Sequence, residues 1–418
     1  MEFVENLSKE EYEQFTSKSK YGHFMQSYDF GQIRKIKHFT PHYVGLKDNN
    51  KLVCTALLLE KKLKMKYTYF YCPRGYVIDF NNKELFNTFT KYLKEFAKKR
   101  KAIFIKIDPA IKLHTLDIDG NIIEGEDNSN IVDYLKNIGY KHLGYNLGFE
   151  NEQPRFTFRI NIDKSWDEVY SAMHPTTKKI LNKGNQYNLN IYKGNKDDIN
   201  DFYLTMIETA KREGIVQSPI EYYSLFYEIF NKDNLGDLYI VKVKIKELIN
   251  TFENKIESVK KEIEELGLDK YKNKGKAQNK INDLNNQINK LNKDLEEIKK
   301  INEDEVVLSS IITVKYNDKV WTVHGGNNSI LMNLNANYLL YYTIIKDAFD
   351  EHYKCVDCFG TCGIANPDKS NPIYGIHSFK KRLGGEYTEF IGEFDLVTNK
   401  FMYTIYKKLI PLYRKIKK

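Results

Sequence analysis

The sequence predicts a mixed α/β protein, of the α+β class, with two related domains and an antiparallel two-helix coiled-coil arm inserted in the second. Two observations predict this fold. A unit of hairpin, helix and buried strand occurs twice along the 418 residues, which indicates a structural duplication. A long heptad pattern at 245–303 interrupts the second unit, and apolar heptads flanked by charged residues are typical of a coiled coil.

The first copy of the unit lies in the N-terminal half. Alternating apolar residues predict the two strands of a hairpin at 42–46 and 52–59. An amphipathic helix is predicted at 83–100, and the apolar run 102–107 predicts a buried strand. A helix at 9–17 opens this domain.

The second copy follows the same order in the C-terminal half. The hairpin strands are predicted at 306–316 and 319–324, the helix at 335–351, and the buried strand at 355–359. The helix that opens this domain is predicted at 198–213. Because both copies keep one order, we expect two structurally related domains.

The coiled-coil arm is the strongest periodic signal. Its apolar residues recur in alternating steps of four and three, and a polar segment at 269–275 divides them into two halves. A short polar connection that contains Gly275 would fold the second half back on the first, so we expect an intramolecular arm rather than a dimerisation zipper. The predicted seam consists of Ile245, Ile249, Phe252, Ile256, Val259, Ile263, Leu266, Ala277, Ile281, Leu284, Ile288, Leu291, Leu295 and Ile298.

The bulk charge has two interpretations. A formal net charge of +9 favours a polyanionic partner such as nucleic acid, a nucleotide or an anionic membrane. A genome-wide preference for Lys, Asn, Ile and Tyr would give the same composition. No stretch has the roughly 18 to 20 apolar residues that span a bilayer, and the polar start MEFVENLSKEEYEQF is not a secretory signal. We therefore expect the protein in the cytoplasm.

Metal ions and cofactors have little support in the sequence. Five cysteines fit reduced thiols better than a disulfide framework. Cys355, Cys358 and Cys362 are close in sequence, but the run KCVDCFGTCG is typical of a buried strand entering a Gly turn, and no fourth ligand is suitably spaced. Because the chain has neither a P-loop nor a dinucleotide fingerprint, we expect no cofactor.

Asp108 is the first candidate site residue. It ends the strand predicted in IKIDPAI, and Pro109 prevents that strand from continuing. A carboxylate at the end of a buried strand is well placed for a cleft, and Asp is equally an ordinary turn residue. Both interpretations stay open at this point.

A basic helix and two glycine pairs are further candidates. Lys178, Lys179 and Lys183 recur along one predicted helix, where they would bind phosphates or form a solvated face. The pairs Gly325-Gly326 and Gly384-Gly385 allow positive φ and close approach of the backbone to a ligand. Nothing resembles a nucleophile elbow, whereas Ser-His-Asp or Cys-His catalysis stays open because its partners would be neighbours only in space.

Several motifs follow one another from about Met25 to Tyr403, which is essentially the whole chain. In order they are FMQSYDFG, IKIDPAI, TAKREGI, HGGNNS, NYLLYY, VDCFGTCG and SFKKRLGGEYTEFIGEFDLV. Together they resemble the Fem family of peptidoglycan aminoacyltransferases. The last block is the most specific of them, and the Gln-Ser turn of the first is the weakest. Some members of this family carry a coiled-coil insertion in the second domain, and the chain resembles those members.

The resemblance implies two acetyltransferase-like (GNAT) domains that face a shared cleft. They would comprise residues 1–150 and 151–394, with a polar link at 151–154 and the C-terminal segment 395–418 returning to the first domain. The implied reaction moves Gly, Ala or Ser from aminoacyl-tRNA to an amine of the peptidoglycan stem peptide. The acceptor would be lipid II or a UDP-linked muropeptide precursor. Such an enzyme works in the cytoplasm, with peripheral contact to the inner face of the membrane and related Fem-type proteins as further partners.

Site residues follow from the same resemblance. Lys380 matches the lysine of the C-terminal Phe-Lys pair and would stabilise the charge of the transition state and the tRNA end, with Phe379 beside it. Asp108 matches the family's Asp-Pro aspartate and would orient or deprotonate the acceptor amine, while proton transfer by the substrate itself stays open. Arg34 matches a basic residue that holds the phosphates of the precursor, a role that suits a guanidinium.

One motif departs from the family pattern. The stretch REGIVQSPIEYYSL keeps Arg212 and Tyr222 as implied substrate-binding residues. Members that bind the UDP-linked precursor tend to have a second arginine where this chain has Gln217 or Ser218. This departure favours a membrane-bound lipid precursor as the acceptor.

Two other functions stay open. An acyl-CoA N-acyltransferase on the same fold would require a Q/R-x-x-G-x-G/A turn at the start of a helix, which the sequence lacks. A coiled-coil RNA- or partner-binding protein would explain the arm and the charge, but not the C-terminal block. The final stretch MYTIYKKLIPLYRKIKK suits an anionic membrane surface or tRNA, and equally an exposed helix end.

Overall fold

The computed structural model describes residues 1–63, 66–149, 152–266 and 274–416. In chain order, the strands are β1 (Glu2–Val4), β2 (Thr40–Asp48), β3 (Lys51–Lys62), β4 (Thr68–Cys72), β5 (Ala102–Ile107), β6 (His114–Leu116), β7 (Ile122–Asp127), β8 (Tyr140–His142), β9 (Phe156–Asn161), β10 (Asn190–Gly194), β11 (Gly236–Lys244), β12 (Glu305–Tyr316), β13 (Lys319–Asn327), β14 (Cys355–Thr361), β15 (Glu386–Glu389) and β16 (Phe394–Val397).

The α-helices alternate with these strands. In chain order they are α1 (Lys9–Thr16), α2 (Tyr28–Arg34), α3 (Lys83–Lys99), α4 (Ser129–Asn137), α5 (Trp166–Ala172), α6 (Pro175–Asn182), α7 (Ile199–Glu213), α8 (Ile220–Asn231), α9 (Ile245–Leu266), α10 (Lys274–Ile298), α11 (Ala336–Asp350), α12 (Tyr374–Lys381) and α13 (Lys400–Ile416). Every hairpin, helix and buried strand of the two predicted units is present.

Two seven-stranded sheets repeat one arrangement. The first has the order β1-β2-β3-β4-β5-β16-β8 and the second β10-β11-β12-β13-β14-β9-β15. In each sheet a run of antiparallel strands is followed by a helix, α3 or α11, and by a strand parallel to the last of the run. This is the acetyltransferase-like arrangement, and it confirms the predicted duplication.

The C-terminal part of the chain crosses between the sheets. β15 pairs with β9 in the second sheet, and β16 then pairs with β5 and β8 in the first. The predicted link between the two domains begins at residue 151, which lies outside the described residues. The predicted domain limits stay a prediction.

Three apolar cores hold this architecture together. One lies between the first sheet and α3, whose buried face repeats at helical spacing through Phe86, Phe89 and Phe96. A second lies under α11 in the second sheet. The third joins the two units, because Phe24 of the first packs against Trp321 of the second, with ring centroids 5.2 Å apart. Residues from both halves therefore meet at a shared, buried interface.

The arm replaces the turn between β11 and β12. Lys244 and Glu305 are the last register partners of these antiparallel strands, and α9 begins at the next residue. The ion pairs Glu262–Lys280 and Glu253–Lys299 link α9 to α10 near the tip and near the base, so the helices run antiparallel. The predicted turn at 269–275 lies mostly outside the described residues, and its last residues belong to α10.

The base of the arm belongs to the core of the second domain. Phe252 and Ile256 of α9 are buried there together with Leu295 of α10, and only the outer parts of the helices form a separate cluster around Val259 and Leu284. Leu248 is fully buried, although the heptad pattern had assigned the seam to its neighbour. Leu248 belongs to the core cluster of the second domain, which contains residues of the sheet as well as Leu295 and Ile298 of α10, so the regular seam is interrupted at the base.

No helix among the described residues is long and apolar enough to cross a membrane.

Candidate functional site

A cavity opens in the second sheet where two parallel strands separate. β13 and β14 pair only from Lys319 to Trp321 with Cys355 to Asp357. Farther along, β14 pairs with β9 alone, at Gly360 and Thr361. The space of about 320 Å³ between the strands is lined by β13, by the end of β14 and by α12. In open sheets, ligands bind where strands part at their carboxyl ends.

Lys380 lies at the wall of this cavity. Its side chain comes from α12, is 5% exposed, and donates hydrogen bonds from Nζ to the carbonyl oxygens of Gly360, at 2.7 Å, and Phe359, at 3.3 Å. No carboxylate pairs with it among the described residues. Burial therefore lowers the pKa of Lys380 to about 8, although nearby Cys358 and Asp357 oppose the shift.

The carboxylate of Asp357, which is near Lys380, already accepts hydrogen bonds from other side chains. Asp357 accepts a hydrogen bond from Arg159 Nε at 2.9 Å and another from Thr157 Oγ1 at 2.6 Å. These donors hold the carboxylate on the side of β9. The ammonium of Lys380 is left with carbonyl oxygens alone, which keeps its charge available to a ligand in the cavity.

Phe379 also lines the cavity, whereas the glycines that follow have a packing role. Phe379 lies edge-on against Tyr338 and Tyr341 of α11, which fixes the end of α12. A Cβ on Gly384, which has φ +85°, would lie 2.6 Å from the carbonyl oxygen of Ala172. A Cβ on Gly385 would lie 3.0 Å from the carbonyl oxygen of Arg159. Packing against the chain itself accounts for both glycines, and substrate binding by them stays a prediction.

Asp108 follows β5 in the first sheet and is 3% exposed. Its Oδ2 accepts a hydrogen bond from the Tyr71 hydroxyl at 2.9 Å, and its Oδ1 accepts one from the backbone N–H of Arg74 at 2.7 Å. Burial raises the pKa of Asp108 to about 7, with a smaller contribution from Glu393, and the Arg74 guanidinium opposes the shift. A carboxyl group with this pKa exchanges protons near neutral pH.

Arg74 connects Asp108 to the cavity of the second sheet. Its Nη2 donates a hydrogen bond to the carbonyl oxygen of Pro154 at 2.7 Å, and Pro154 lines the same cavity as Lys380. The ring of Pro154 also fills the space beside Gly360, where a Cβ would lie 2.3 Å from Pro154 Cγ. Asp108 and the cavity that Lys380 lines are thus connected by a chain of contacts through Arg74 and Pro154.

Arg34 lies in a basic cluster between the two units. The cluster comprises Arg34 at the end of α2, Lys37 and Lys61. Lys61 Nζ donates to the carbonyl oxygen of Lys37 at 2.6 Å, and Lys37 Nζ donates to Ser218 Oγ at 3.0 Å. The ammonium of Lys37 lies 4.4 Å above the ring of Tyr222. Burial and Arg34 lower the pKa values of Lys37 and Lys61.

The cluster has unused capacity for an anion. Within the described part of the chain, none of its three cations forms an ion pair, and Nε of Arg34 is buried without a hydrogen-bond partner. Tyr222 is 5% exposed and packs beside the cluster. Arg34 and Tyr222, which the resemblance implied as substrate-binding residues, are therefore neighbours in space.

The remaining predicted residues lie outside these groups. Arg212, at the end of α7, donates from Nε to Glu213 at 2.9 Å and from Nη1 to the carbonyl oxygen of Asn327, the last residue of β13. Lys179 and Lys183 project from the exposed end of α6, and Lys178 donates to the carbonyl oxygen of Ser171. These three lysines lie on the protein surface and line neither the cavity nor the basic cluster.

Sequence reasoning missed Arg74, Tyr71 and Lys61. Arg74 follows β4 just as Asp108 follows β5, and these strands are parallel, so their carboxyl ends meet at one edge of the sheet. The motif CPRGY after an apolar run was the available signal for Arg74. Tyr71 and Lys61 have no local signal, because their roles depend on which strand lies beside them.

Metal binding has no geometric support among the described residues. The cysteines Cys355, Cys358 and Cys362 are free thiols, and no group of three or more His, Cys, Asp or Glu side chains is placed to hold an ion. Burial raises the pKa values of the Cys355 and Cys358 thiols to about 12, which disfavours thiolate chemistry at these positions.

Two acetyltransferase-like units, which bury the ammonium of Lys380 beside a cavity and the carboxyl group of Asp108 at the end of β5, are the architecture of an acyltransferase. The chain belongs to the FemAB family, whose profile matches residues 7–410. It is 27% identical to the lipid II:glycine glycyltransferases of Staphylococcus epidermidis and Staphylococcus aureus, over 99% of this chain and 97% of each relative. It is also similar to the crystal structure of FemX, with a TM-score of 0.75 and 27% identity over 97% of this chain and 99% of that chain.

Proposed function

We propose that this protein transfers an amino acid, glycine in the first place, from aminoacyl-tRNA to the amine of the stem peptide of lipid II and so builds the interpeptide bridge. The observation that carries this proposal is the burial of two ionisable groups, the carboxyl group of Asp108 and the ammonium of Lys380. Burial brings the pKa of Asp108 up to about 7 and the pKa of Lys380 down to about 8. The two staphylococcal relatives, named as lipid II:glycine glycyltransferases, support glycine and lipid II as the first substrates to test. Alanine and serine are the other donor amino acids of this proposal.

Transfer requires one bond to form and one to break. The acceptor amine attacks the carbonyl carbon of the aminoacyl ester, an amide bond forms, and the ester oxygen leaves with the tRNA. The attacking nitrogen loses a proton, and the leaving oxygen gains one. No covalent enzyme intermediate is needed, so positioning and charge stabilisation account for most of the catalysis.

Asp108 suits the proton transfer from the amine. With a pKa of about 7, a large fraction of this carboxyl group is ionised at neutral pH and can accept a proton. The hydrogen bonds from Tyr71 and from the backbone of Arg74 fix its orientation. In this proposal Asp108 holds the acceptor amine and assists its deprotonation.

Lys380 suits a role at the ester bond of the aminoacyl-tRNA. Its ammonium has no carboxylate partner and lies at the wall of a cavity of about 320 Å³, which fits an aminoacyl group and part of a ribose. A positive charge in a buried site stabilises the oxyanion that develops on the ester carbonyl. With a pKa of about 8, Lys380 is mostly protonated at pH 7 and can also donate a proton to the leaving oxygen.

The basic cluster suits the phosphates of the acceptor. Arg34, Lys37 and Lys61 are half-buried cations with no ion pair among the described residues, and a guanidinium with a free Nε binds phosphate oxygens well. Tyr222 would pack beside the bound group, and Arg212, which donates to the carbonyl oxygen of Asn327, is the further proposed substrate contact. The partly exposed Lys178 and the exposed Lys179 of α6, with the exposed Lys183 just after the helix, are the proposed contact for the tRNA backbone.

A neighbouring loop suits a membrane-embedded acceptor. Ile215 is 56% exposed and Val216 is 99% exposed. Ser218, two residues farther along the loop, is hydrogen-bonded to Lys37 of the basic cluster. Apolar side chains next to cations are typical of segments that insert into an anionic interface. We therefore place this edge against the cytoplasmic face of the membrane, with lipid II as the acceptor.

Reconstitution tests the function. Purified protein, lipid II and glycyl-, alanyl- or seryl-tRNA should give a product heavier by one amino acid residue, with glycyl-tRNA the best donor. The same assay with acetyl-CoA is the control. Turnover with the CoA thioester, and none with any aminoacyl-tRNA, would contradict the proposal.

Flotation with vesicles that contain anionic lipid tests the membrane contact. The double variant Ile215→Ser/Val216→Ser should lose binding, because it removes the two inserted side chains. The control is Ile122→Ser/Ile123→Ser, which removes another exposed apolar pair, from β7, where the isoleucines are 65% and 47% exposed. Equal binding by both variants would exclude the loop as the contact.

A further inference from the structure

A second cavity lies between the two units, where Pro109, the residue after Asp108, forms part of its wall. It has a volume of about 120 Å³, and we call it the interdomain cavity. Its wall includes four cationic side chains, and none of the described residues that line it carries a carboxylate. The cations are Lys20, Arg74, Arg159 and Lys319.

Two of these cations form an ion pair and two do not. Arg159 pairs with Asp357 at 2.9 Å, and Lys319 pairs with Asp318 at 2.7 Å. Within the described chain, neither Arg74 nor Lys20 forms an ion pair. Arg74 is 6% exposed, and its Nε is buried without a hydrogen-bond partner. An unpaired buried guanidinium N–H is costly, and an anion in the cavity would satisfy it.

The buried imidazole of His23 reports the same excess of positive charge. His23 lines the cavity, is 5% exposed, and packs against Trp321 with ring centroids 4.8 Å apart. Burial, Arg74, Arg159 and Lys319 together lower its pKa. Three cations therefore converge on one point of the wall, and the neutral imidazole does not compensate them.

The cavity continues a line of groups along β4. Tyr69 is the register partner of Lys61, which belongs to the basic cluster. Tyr71 lies on the same face of the strand as Tyr69 and is bonded to Asp108. Arg74 follows in the chain and lines the interdomain cavity. Along this face of β4, the basic cluster, the carboxyl group of Asp108 and the interdomain cavity follow one another.

We propose that the interdomain cavity binds the free carboxylate at the C-terminal end of the acceptor peptide. The acceptor then lies along β4 with its phosphates at the basic cluster, its reacting amine at Asp108 and its peptide carboxylate beside Arg74. A guanidinium binds a carboxylate with two parallel hydrogen bonds, and the small volume fits the end of a peptide rather than a nucleotide. This inference rests on the proposed function, because it requires a peptide acceptor.

The test compares two acceptors, one ending in a carboxylate and one in a carboxamide, in transfer assays with glycyl-tRNA. Wild type should prefer the carboxylate in kcat/KM by about tenfold or more, through KM, since a charge-assisted hydrogen bond is lost with the amide. The variant Lys20→Gln/Lys319→Gln, which keeps Arg74 but removes two of the four cations of the wall, should reduce this preference. The control Lys18→Gln/Lys354→Gln removes two neighbouring charges that do not line the cavity, and it should keep the preference.

The outcomes separate this inference from the proposed function. Equal kcat/KM for the two acceptors in wild type would overturn the carboxylate site and leave the transferase function standing. If the control variant loses the preference as well, the net charge of the protein explains the effect, and the carboxylate site is also overturned. Absence of transfer to either acceptor would contradict the proposed function. Calorimetric titration with the two peptides then decides the site, and equal affinities exclude it.

Discussion

The two sheets share one order of elements but differ where their parallel strands end. In the first sheet, β4 and β5 stay paired from Thr68 and Ala102 to Cys72 and Ile107, and the chain leaves the sheet at that closed edge. In the second sheet, β13 and β14 separate after three register pairs, and a cavity fills the gap. The pair β4–β5 therefore presents side chains at the edge of its sheet, whereas the pair β13–β14 encloses a cavity between its strands.

In the proposed function, the two similar domains have different tasks. The closed edge holds Asp108 and Arg74 in fixed positions and suits an extended acceptor that lies across it. The open pair admits a group between its strands and suits the end of the donor, with Lys380 at the wall. Burial acts in opposite directions on the two groups, because it disfavours whichever form is charged. It raises the pKa of the carboxyl group and lowers that of the ammonium.

The largest expected effect comes from the open cavity. Lys380→Ala should lower kcat by about 10² to 10³, since it removes the only proposed charge at the ester carbonyl. The matched control is Lys381→Ala, which removes the next lysine of α12, whose Nζ pairs with Asp119 at 3.0 Å. Single-turnover transfer with saturating glycyl-tRNA measures both. Equal rates for the two variants would remove Lys380 from the reaction.

The closed edge should contribute less. Asp108→Asn keeps the shape and the hydrogen bond from Tyr71 but cannot accept a proton, so we expect kcat to fall by about 10². The amine can also lose its proton to the substrate or to water, which limits the loss. Asp108→Glu, which moves the carboxyl group by one methylene, should retain part of the activity. If Asp108→Asn is as active as wild type, this carboxyl group only maintains the structure.

The pH dependence of kcat distinguishes the two groups. Asp108 acts ionised, so the rate should rise as the pH rises through about 7, and Lys380 acts protonated, so the rate should fall as the pH rises through about 8. The profile should be a narrow bell. Asp108→Asn should remove the acidic limb, and Lys380→Arg should move the alkaline limb upwards. A profile that both variants leave unchanged would assign the limbs to the substrates.

The packing beside the cavity of the second sheet depends on Gly326 of β13, which lines that cavity. A Cβ on Gly326 would lie 2.5 Å from the backbone carbon of Thr205 in α7, so Gly326→Ala should lower the free energy of unfolding by roughly 1 to 3 kcal/mol. Gly375→Ala in α12 is the control, since its Cβ would meet nothing within 4 Å and should stabilise the helix slightly. Denaturant titration measures both. A neutral Gly326→Ala would show that α7 moves freely.

The smallest effect is expected from the outer arm. Replacing 259–291 by a short turn removes the separate cluster but keeps Phe252, Ile256 and Leu295 in the core, so the thermal stability and transfer to a small acceptor should hardly change. A longer deletion that includes Phe252 should destabilise the domain by several kcal/mol. A loss of affinity for aminoacyl-tRNA with the short deletion would assign the outer arm to tRNA binding.

Local patterns predicted the elements of the fold. Heptad spacing determined α9 and α10, alternating apolar residues determined both hairpins, and an aspartate between a buried strand and Pro109 marked the edge of the first sheet. The resemblance to a family then selected Asp108, Lys380 and Arg34 from many polar residues. Each of these signals resides in a short stretch of sequence, because periodicity and backbone restriction act between near neighbours in the chain.

The tertiary structure decided how these parts act together. The arm's base became core because Leu248 and Phe252 are buried in the core cluster of the second domain, where Phe252 stacks on Tyr187. The pair Gly384-Gly385 packs against the chain's own backbone. Arg74 and Tyr71 reached Asp108 only through strand pairing. Desolvation and strand register depend on atoms that are tens to hundreds of residues away in the chain, and no local pattern encodes them. The sequence by itself determined which elements form, while long-range packing decided which strand pair closes, which opens, and where the charges are buried.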